Sequence, residues 1–561
     1  MSETENSQDE VIRKEYEFKK QVSSFFMSKG YLISPGFLDN LPTGFDCEFF
    51  LKLLEKHLGN NITVLTKDIL NSIILNEKMP DINWKEFEKA RVAQEKGRDN
   101  KVYDTFLNII NYKQNNGNIS NDLIKLVKAE EPENDLTFPE DEMGSNVVIV
   151  KSYAENSQKR EVQDFVSYFR KRYDALKKIL QTRMELENAI SISRLKNVEN
   201  ESVALIGMIN GRRITKNGNL IFEIEDLTGK VNVLVNKNRK DLFEKAEYVV
   251  LDEVVGVKGK QGKGMVFVDE LIFPDVPLTK EYRKASEEVY AAFTADFHTG
   301  SMMYLKEDVE KFLKWVNCEI GSDEQKRVAK NLKYLFIVGD VVDGVGVYPN
   351  QENDLMIQDI YEQYKEFVEV IKKIPSYINV IISPGNHDST RISEPQPALH
   401  KEFVSELYDL PNVKLVSNPS IVNIHSSKSF PGFDVLVYHG SSFIYYGDQI
   451  DKIRSQGGTK RTDLIMKLLL QKRHLAPTHT STLYIPFTEE DPLVIERVPD
   501  FFITGHLHRT VATTYNNITL IGCSCWQGRT ENMEKLGIYP DPSRLTVVNL
   551  NTREMKMLNF K

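Results

Sequence analysis

The sequence predicts a multidomain α+β protein. Three observations carry that reading of its 561 residues. Short apolar runs closed by Gly or Pro alternate with helical stretches across the C-terminal half, segment 203–275 reads as five short strands with tight turns, and helical stripes open the N-terminal third. Buried strands and amphipathic helices leave these different periodicities in a chain.

Residues 1–75 are expected to form a helical N-terminal module. Phe50, Leu54 and Leu58 form one stripe, and Ile69, Leu70, Ile73 and Ile74 another, which suits docking better than catalysis. Residues 76–145 are polar and end in the acidic, Pro-containing stretch AEEPENDLTFPEDEMG, so a partly disordered linker is expected there. Residues 146–200 read as a helical connector, with one long helix over 159–187. Val162, Phe165, Val166, Phe169, Tyr173, Leu176, Ile179 and Leu180 recur at helical spacing and give it a face to pack on a neighbouring domain.

Residues 201–280 read as a small β-barrel. VALIGMI, LIFEIED and KVNVLVN are joined by turns at Asn217-Gly218 and Thr228-Gly229, a helical insert follows at 239–246, and YVVLDEVVGVKG and GMVFVDELIF complete five strands. In the second strand Leu220, Phe222 and Ile224 face one way while Glu223 and Glu225 face the other. Five strands with a helix after the third resemble an OB-fold. Aromatic stacking residues are sparse, so the sequence gives little support for independent single-strand binding by the barrel.

Residues 288–561 carry the chemistry. Five clusters occur in order: ADFH ending at His298, GDVVD at 339–343, GNHD at 385–388, YHG around His439 and GHLH at 505–508. They hold half of the ten histidines. YLFIV, INVIIS, FDVLVY and DFFIT run directly into four of them, and the weakly apolar VYAAFTA runs into the first. Imidazoles and carboxylates therefore sit at strand ends, where open α/β sheets bind ligands. Two divalent ions roughly 3.5–4 Å apart require one bridging carboxylate, with His, Asp and Asn for the remaining positions.

These motifs resemble the calcineurin-like metallophosphoesterase superfamily, which implies a phosphoesterase β-sandwich flanked by helices. The resemblance further implies that Asp296, His298 and His508 hold one metal, that Asp340 bridges, and that Asn386, His439 and His506 hold the other. It makes His387 a non-ligand facing the scissile phosphate, with Asp388 orienting its ring. Asp343 is read either as a turn-stabilising carboxylate or as a ligand. Protein Ser/Thr phosphatases of this superfamily read GDxVDRG and GNHE; here Gly344-Val345-Gly346 follows Asp343 and the later motif ends in Asp388. That branch is disfavoured. Double-strand-break repair nucleases, which carry these motifs near the N-terminus, remain an alternative.

Four cysteines without framework spacing point to a reducing, intracellular setting. MSETENSQDE is no signal peptide and no run approaches 18 apolar residues, so a cytoplasmic protein without membrane contact is expected. A formal net charge of −9 disfavours strong sequence-independent duplex binding by this chain alone. A DNA substrate stays compatible, because bound metals supply positive charge locally.

The order of helical module, acidic linker, OB-like barrel and phosphoesterase resembles the small subunit of the archaeal D-family DNA polymerase. Extended agreement lies in GDVVDGVGVYPNQ, DIYEQY, SPGNHDSTRISEPQPAL, RHLAP and PDFFITGHLH. The family implies a 3′–5′ exonuclease that proofreads for a separate large polymerase subunit, acting on single-stranded or frayed 3′ ends. Two divalent ions are implied, with Mn the best fit to the N/O ligands and Fe, Zn or Ni as alternatives. Arg391 and His474 are expected as substrate contacts, and Tyr445 or Tyr446 in the loop 441–461 as a base-stacking residue. The contrasting reading is a polymerase scaffold whose phosphoesterase fold is catalytically idle. The intact ligand set speaks for the enzyme.

Overall fold

The computed structural model describes residues 18–29, 31–33, 35–38, 47–48, 50–51, 64–65, 147–154, 159–198, 201–535 and 537–561. The chain divides into two compact units, Met1–Thr137 and Phe138–Lys561. In the first, a helix over 18–28 buries Phe26 against Phe37 and Phe50, with edge-on rings 5.7–6.0 Å apart. Two short strands, Leu32–Ile33 and Val64–Leu65, pair in parallel beside it. The expected helical character is therefore mixed with strand. The stripes at Leu54, Leu58 and 69–74 and the linker at 76–145 lie outside the described residues.

In the second unit five strands, Ser202–Ile214, Leu220–Asp226, Gly229–Val235, Val254–Gly262 and Met265–Ile272, close into a barrel. Helix Lys240–Ala246 follows the third strand. Leu220, Phe222 and Ile224 point into its core, as their alternation requires.

The remainder stacks two six-stranded sheets. The first runs Val413–Leu415, Asn379–Ser383, Leu332–Val338, Tyr290–Thr294, Arg544–Asn549, Met555–Asn559, the first four parallel. The second runs Val511–Tyr515, Ile518–Gly522, Phe501–Thr504, Phe433–Val437, Ser420–Ile424, Val147–Lys151, with 518–522, 501–504 and 433–437 mutually parallel. Phe293, Phe336 and Ile381 of one sheet meet Val422, Val435 and Phe501 of the other in a shared core. Helices Lys306–Val316 and Ile360–Lys372 cover the outer face of the first sheet, and Thr462–Lys472 that of the second. Strands covered on both faces need no polar alternation. Residues 334–338 are accordingly all fully buried.

Two elements depart from the sequence reading. The stretch 146–200 is not helical throughout: Val147–Lys151 is an edge strand, antiparallel to Ser420–Ile424. The long helix also stops earlier, spanning Val162–Gln181, with a 3-10 turn at Met184–Leu186. Among the described residues no helix is long and apolar enough to cross a membrane.

The helix Val162–Gln181 is bonded to the sandwich through a buried ion pair. Arg172 Nε donates to Asp491 at 2.7 Å, its Nη1 donates to the Pro477 carbonyl, and Tyr168 donates to the other Asp491 oxygen at 2.6 Å. Barrel and sandwich are joined likewise by Lys472 and Glu253, 2.7 Å apart and buried. Removing one partner from such a pair strands the other charge out of water, at about 3–5 kcal/mol. Arg172→Met is therefore expected to destabilise the unit by about that amount in denaturant unfolding. A loss under about 1 kcal/mol, the level of an exposed pair, would show that the contact does not hold the helix.

Candidate metal centre

The parallel strands of both sheets end at one level, and the residues just past their C-terminal ends face one another. Register aligns Ile337 with Thr294, Val338 with Ser383, and Val437 with Ile503. The next residues are Asp296, Asp340, Asn386, His439 and His506. Three groups converge with ligand atoms within 4.8 Å of one another: Asp296, His298 and His508; Asp340, His439 and His506; and His298, Asp343 and His387, which shares His298 with the first. The Asp340 Oδ2 lies between the first two, 3.1 Å from His439 Nε2 and 3.9 Å from His298 Nε2. Asn386 Oδ1 is 3.1 Å from the same His439 nitrogen. All seven residues named from the sequence as ligands thus come together.

The turns that deliver them leave no spare room. A Cβ on Gly339 would stand 2.4 Å from His439 Nδ1, and one on Gly385 would stand 2.3 Å from Asp340 Oδ1. Asp296, His298, Asp340, His506 and His508 all have left-handed backbone, with φ of 53°, 50°, 49°, 66° and 53°. Non-glycine residues adopt it uncommonly, Asp, Asn and His more often than the rest.

The hydrogen bonds fix which ring nitrogens face inward. His439 Nδ1 lies 2.9 Å from the Val338 carbonyl, which can only accept, so that nitrogen carries the proton. His439 Nε2 then offers a lone pair to two further acceptors, Asp340 and Asn386. His298 Nδ1 donates to Asp343 at 3.0 Å, which turns its Nε2 toward His508 Nε2 at 3.1 Å. Acceptors facing acceptors in a buried cage call for a positive charge between them, and N/O donors of this kind suit divalent transition metals. Without one the cage must find a proton. Burial alone would lower the His439 imidazolium, but the Asp340 carboxylate outweighs it and raises the group to about 9. Burial and the charge on His439 push His506 down to about 3, which favours a neutral imidazole. Burial works against the Asp340 carboxylate, yet the surrounding imidazoles hold it far below its usual range. The donor set fits two divalent ions.

His387 sits beside the cage, its ring 4.7 Å from that of His298. Its Nδ1 donates to the Asp343 backbone carbonyl at 2.7 Å, which leaves Nε2 as the ring nitrogen not engaged by that anchor. The expectation that Asp388 orients this ring is therefore corrected. The Asp388 carboxylate accepts from Gly385 N at 2.8 Å and Val341 N at 3.1 Å, clamping the two loops together. Burial and then the Asp340 charge raise it to about 7. Asp343 is tied into the site by several donors. Besides His298, its carboxylate accepts from Gln527 and Gln351 at 2.9 and 3.2 Å. Gln527 carried no signal in the sequence, since it reaches Asp343 only through the fold.

The expected substrate contacts fare differently. His474 is fully buried, donates through Nε2 to Asp491 at 2.8 Å and accepts at Nδ1 from Ala476 N; burial pushes it down to about 4. It belongs to the domain joint and has no surface to offer a substrate. Arg391 gives Nε and Nη2 to the Pro395 carbonyl at 2.9 and 2.6 Å. Tyr445 is half-buried against the core of the second sheet's outer face, and Tyr446 is buried with its hydroxyl on Ser481. A cavity of about 400 Å³ does open on the cage. His298, Asp340, His387, His506 and His508 line one end, and Tyr348, Lys460, Arg509, Met533 and Tyr539 are among those lining the rest. The loop 441–461 reaches it through Ile444, Asp448, Thr459 and Lys460 instead of its tyrosines.

Over 400 residues, covering 71% of this chain and 80% of its own length, the chain is 40% identical to the "DNA polymerase II small subunit" of Methanothermobacter thermautotrophicus. The chain belongs to the DNA polymerase II small-subunit family. Proteins of the same name from Pyrococcus furiosus and Halobacterium salinarum are 39% and 35% identical over 71% of this chain, and the matched segment spans 64% and 75% of theirs. This is the archaeal D-family expected from the sequence. The family model for the B subunits of DNA polymerases alpha and epsilon matches residues 291–513, an interval that holds the small-subunit motifs from Asp296 to His508.

Side chains that orient metal-ligating histidines typically contribute 10- to 100-fold to affinity. Asp343→Ala is expected to weaken manganese binding by about that factor in calorimetric titration, with the fold retained by circular dichroism. Unchanged affinity would remove Asp343 from the site.

Proposed function

We propose that this polymerase small subunit is a two-metal 3′–5′ exodeoxyribonuclease that trims frayed DNA ends for a large polymerase subunit. The carrying observation is the complete ligand set: seven side chains with oxygen or nitrogen donors converge, and none has been replaced by a group unable to bind a cation. The sandwich with helices on both outer faces supports the calcineurin-like reading, and the closed barrel with its helix after the third strand supports the OB-fold reading. The relatives are named as small subunits, which supports a larger partner chain.

Asp296, His298 and His508 would hold one ion, Asn386, His439 and His506 the other, with Asp340 shared between them. Once bound, such a pair activates water and neutralises charge on the phosphoryl oxygens. This chain's own residues do the rest. Val338 and Asp343 fix the tautomers of His439 and His298, so both rings present Nε2 to the cage. Asp388 keeps the loops of Asp340 and Asn386 at a fixed distance. His387 borders the cavity with Nδ1 anchored, so its Nε2 is free to hold a proton for the departing 3′ oxygen.

Protein stripped by chelator is expected to leave end-labelled single strands intact and to digest them from the 3′ end when Mn is restored. His387→Ala should lower turnover by about 10²- to 10⁴-fold, the range of general acid–base catalysis, with both ions retained. Asp340→Asn should lose metal as well. Digestion that survives chelation would exclude a metal mechanism. Absence of digestion in Mn-loaded protein that still binds its polymerase partner would leave the idle scaffold as the correct reading.

A further inference from the structure

We propose that the cavity beside the cage is a seat for a single terminal nucleotide, with Tyr539 stacking on its base and Lys460 meeting the adjoining phosphate. This deepens the nuclease reading and rests on it. The cavity holds about 400 Å³, near the low end of the roughly 300–1,000 Å³ typical of small-molecule sites. That is room for one nucleotide and not for a base pair. An end must therefore leave its helix before its phosphodiester can reach the cage.

Tyr539 is built as a platform. It is 55% exposed, yet it is held in place from behind. Its carbonyl accepts from Arg509 Nη1 at 2.8 Å, and the Arg529 guanidinium lies 4.0 Å from its ring centroid. Arg529 also donates to the Ile538 carbonyl at 3.0 Å, which ties the same strand of chain down. An aromatic already fixed, with more than half its surface free, loses little further freedom when a flat group arrives. Met533 and Ile538 add apolar lining.

Lys460 supplies the charge. Its side chain is exposed, it makes no ion pair among the described residues, and its ammonium lies 5.9 Å from the Tyr539 ring centroid. A cation and a ring at that spacing match the phosphate and base of one nucleotide. Arg509 is already spent on Asp541 at 3.5 Å. Asp448 is the opposing carboxylate on the rim, and it disfavours a phosphate on its own side. Every base has a stacking face, so this seat senses the presence of a base and not its identity.

The test is Mn-supported digestion of two end-labelled strands, one ending in a normal 3′ nucleotide and one in an abasic residue. The full chain is expected to prefer the normal end by roughly 5- to 100-fold in kcat/KM, the usual worth of one stacked base. Tyr539→Ala should abolish that preference through KM, Tyr539→Phe should restore it, and Lys460→Ala should raise KM for both strands alike. Equal rates on the two ends in the unmodified protein, or a preference that survives Tyr539→Ala, would overturn the seat while leaving the nuclease intact. Inactivity of the unmodified protein on both strands would overturn the nuclease reading and this one with it.

Discussion

The cage depends on holding five residues in a backbone conformation that they resist. Asp296, His298, Asp340, His506 and His508 all lie in the left-handed region, where an L-residue carries roughly 1–2 kcal/mol of steric cost. The cost is sustained because each residue follows a strand packed on both faces. Phe293, Phe336 and Phe501 lock the two sheets against each other, and their strands fix where the turns begin. The candidate ligands are thereby held in place before any cation arrives. The same rigidity leaves the cage electrostatically unbalanced on its own. Buried acceptors confront one another, and only a cation or a proton relieves them.

Positive charge is distributed with similar economy. In a chain of net charge −9, His474, expected from the sequence to contact substrate, lies in the basic stretch Lys472-Arg473-His474. All three side chains are buried. Lys472 pairs with Glu253 of the barrel, Arg473 donates to the carbonyls of Ile495 and Glu496, and His474 bonds Asp491 beside Arg172. The cluster joins the barrel and the connector helix to the sandwich. Among the described residues that line the cavity, the exposed cation is Lys460.

The ligand set was legible in the sequence because each member sits at a fixed offset from an apolar run, and strand ends in parallel sheets converge by topology. The barrel was legible for a related reason: its strands are joined by short turns, so period and turn chemistry suffice. Contacts made across the fold were not. The strand Val147–Lys151 pairs with Ser420–Ile424, some 270 positions away, and nothing local marks it as an edge. The sequence suggests its neighbour Asp388 as the partner of His387, whereas the structure uses the backbone carbonyl of Asp343. Carbonyls leave no sequence signature. Tyr539 carries no local signal in the sequence, because its setting depends on Arg509 and Arg529 arriving from separate turns.

The central claim is that this cage binds two cations across Asp340. Anomalous diffraction from crystals soaked in Mn measures it directly. Two peaks are expected, roughly 3.5–4 Å apart, one beside Asp296, His298 and His508, the other beside Asn386, His439 and His506, with the Asp340 carboxylate between them. A single peak at saturating Mn, or two peaks with Asp340 bound to neither, would contradict it.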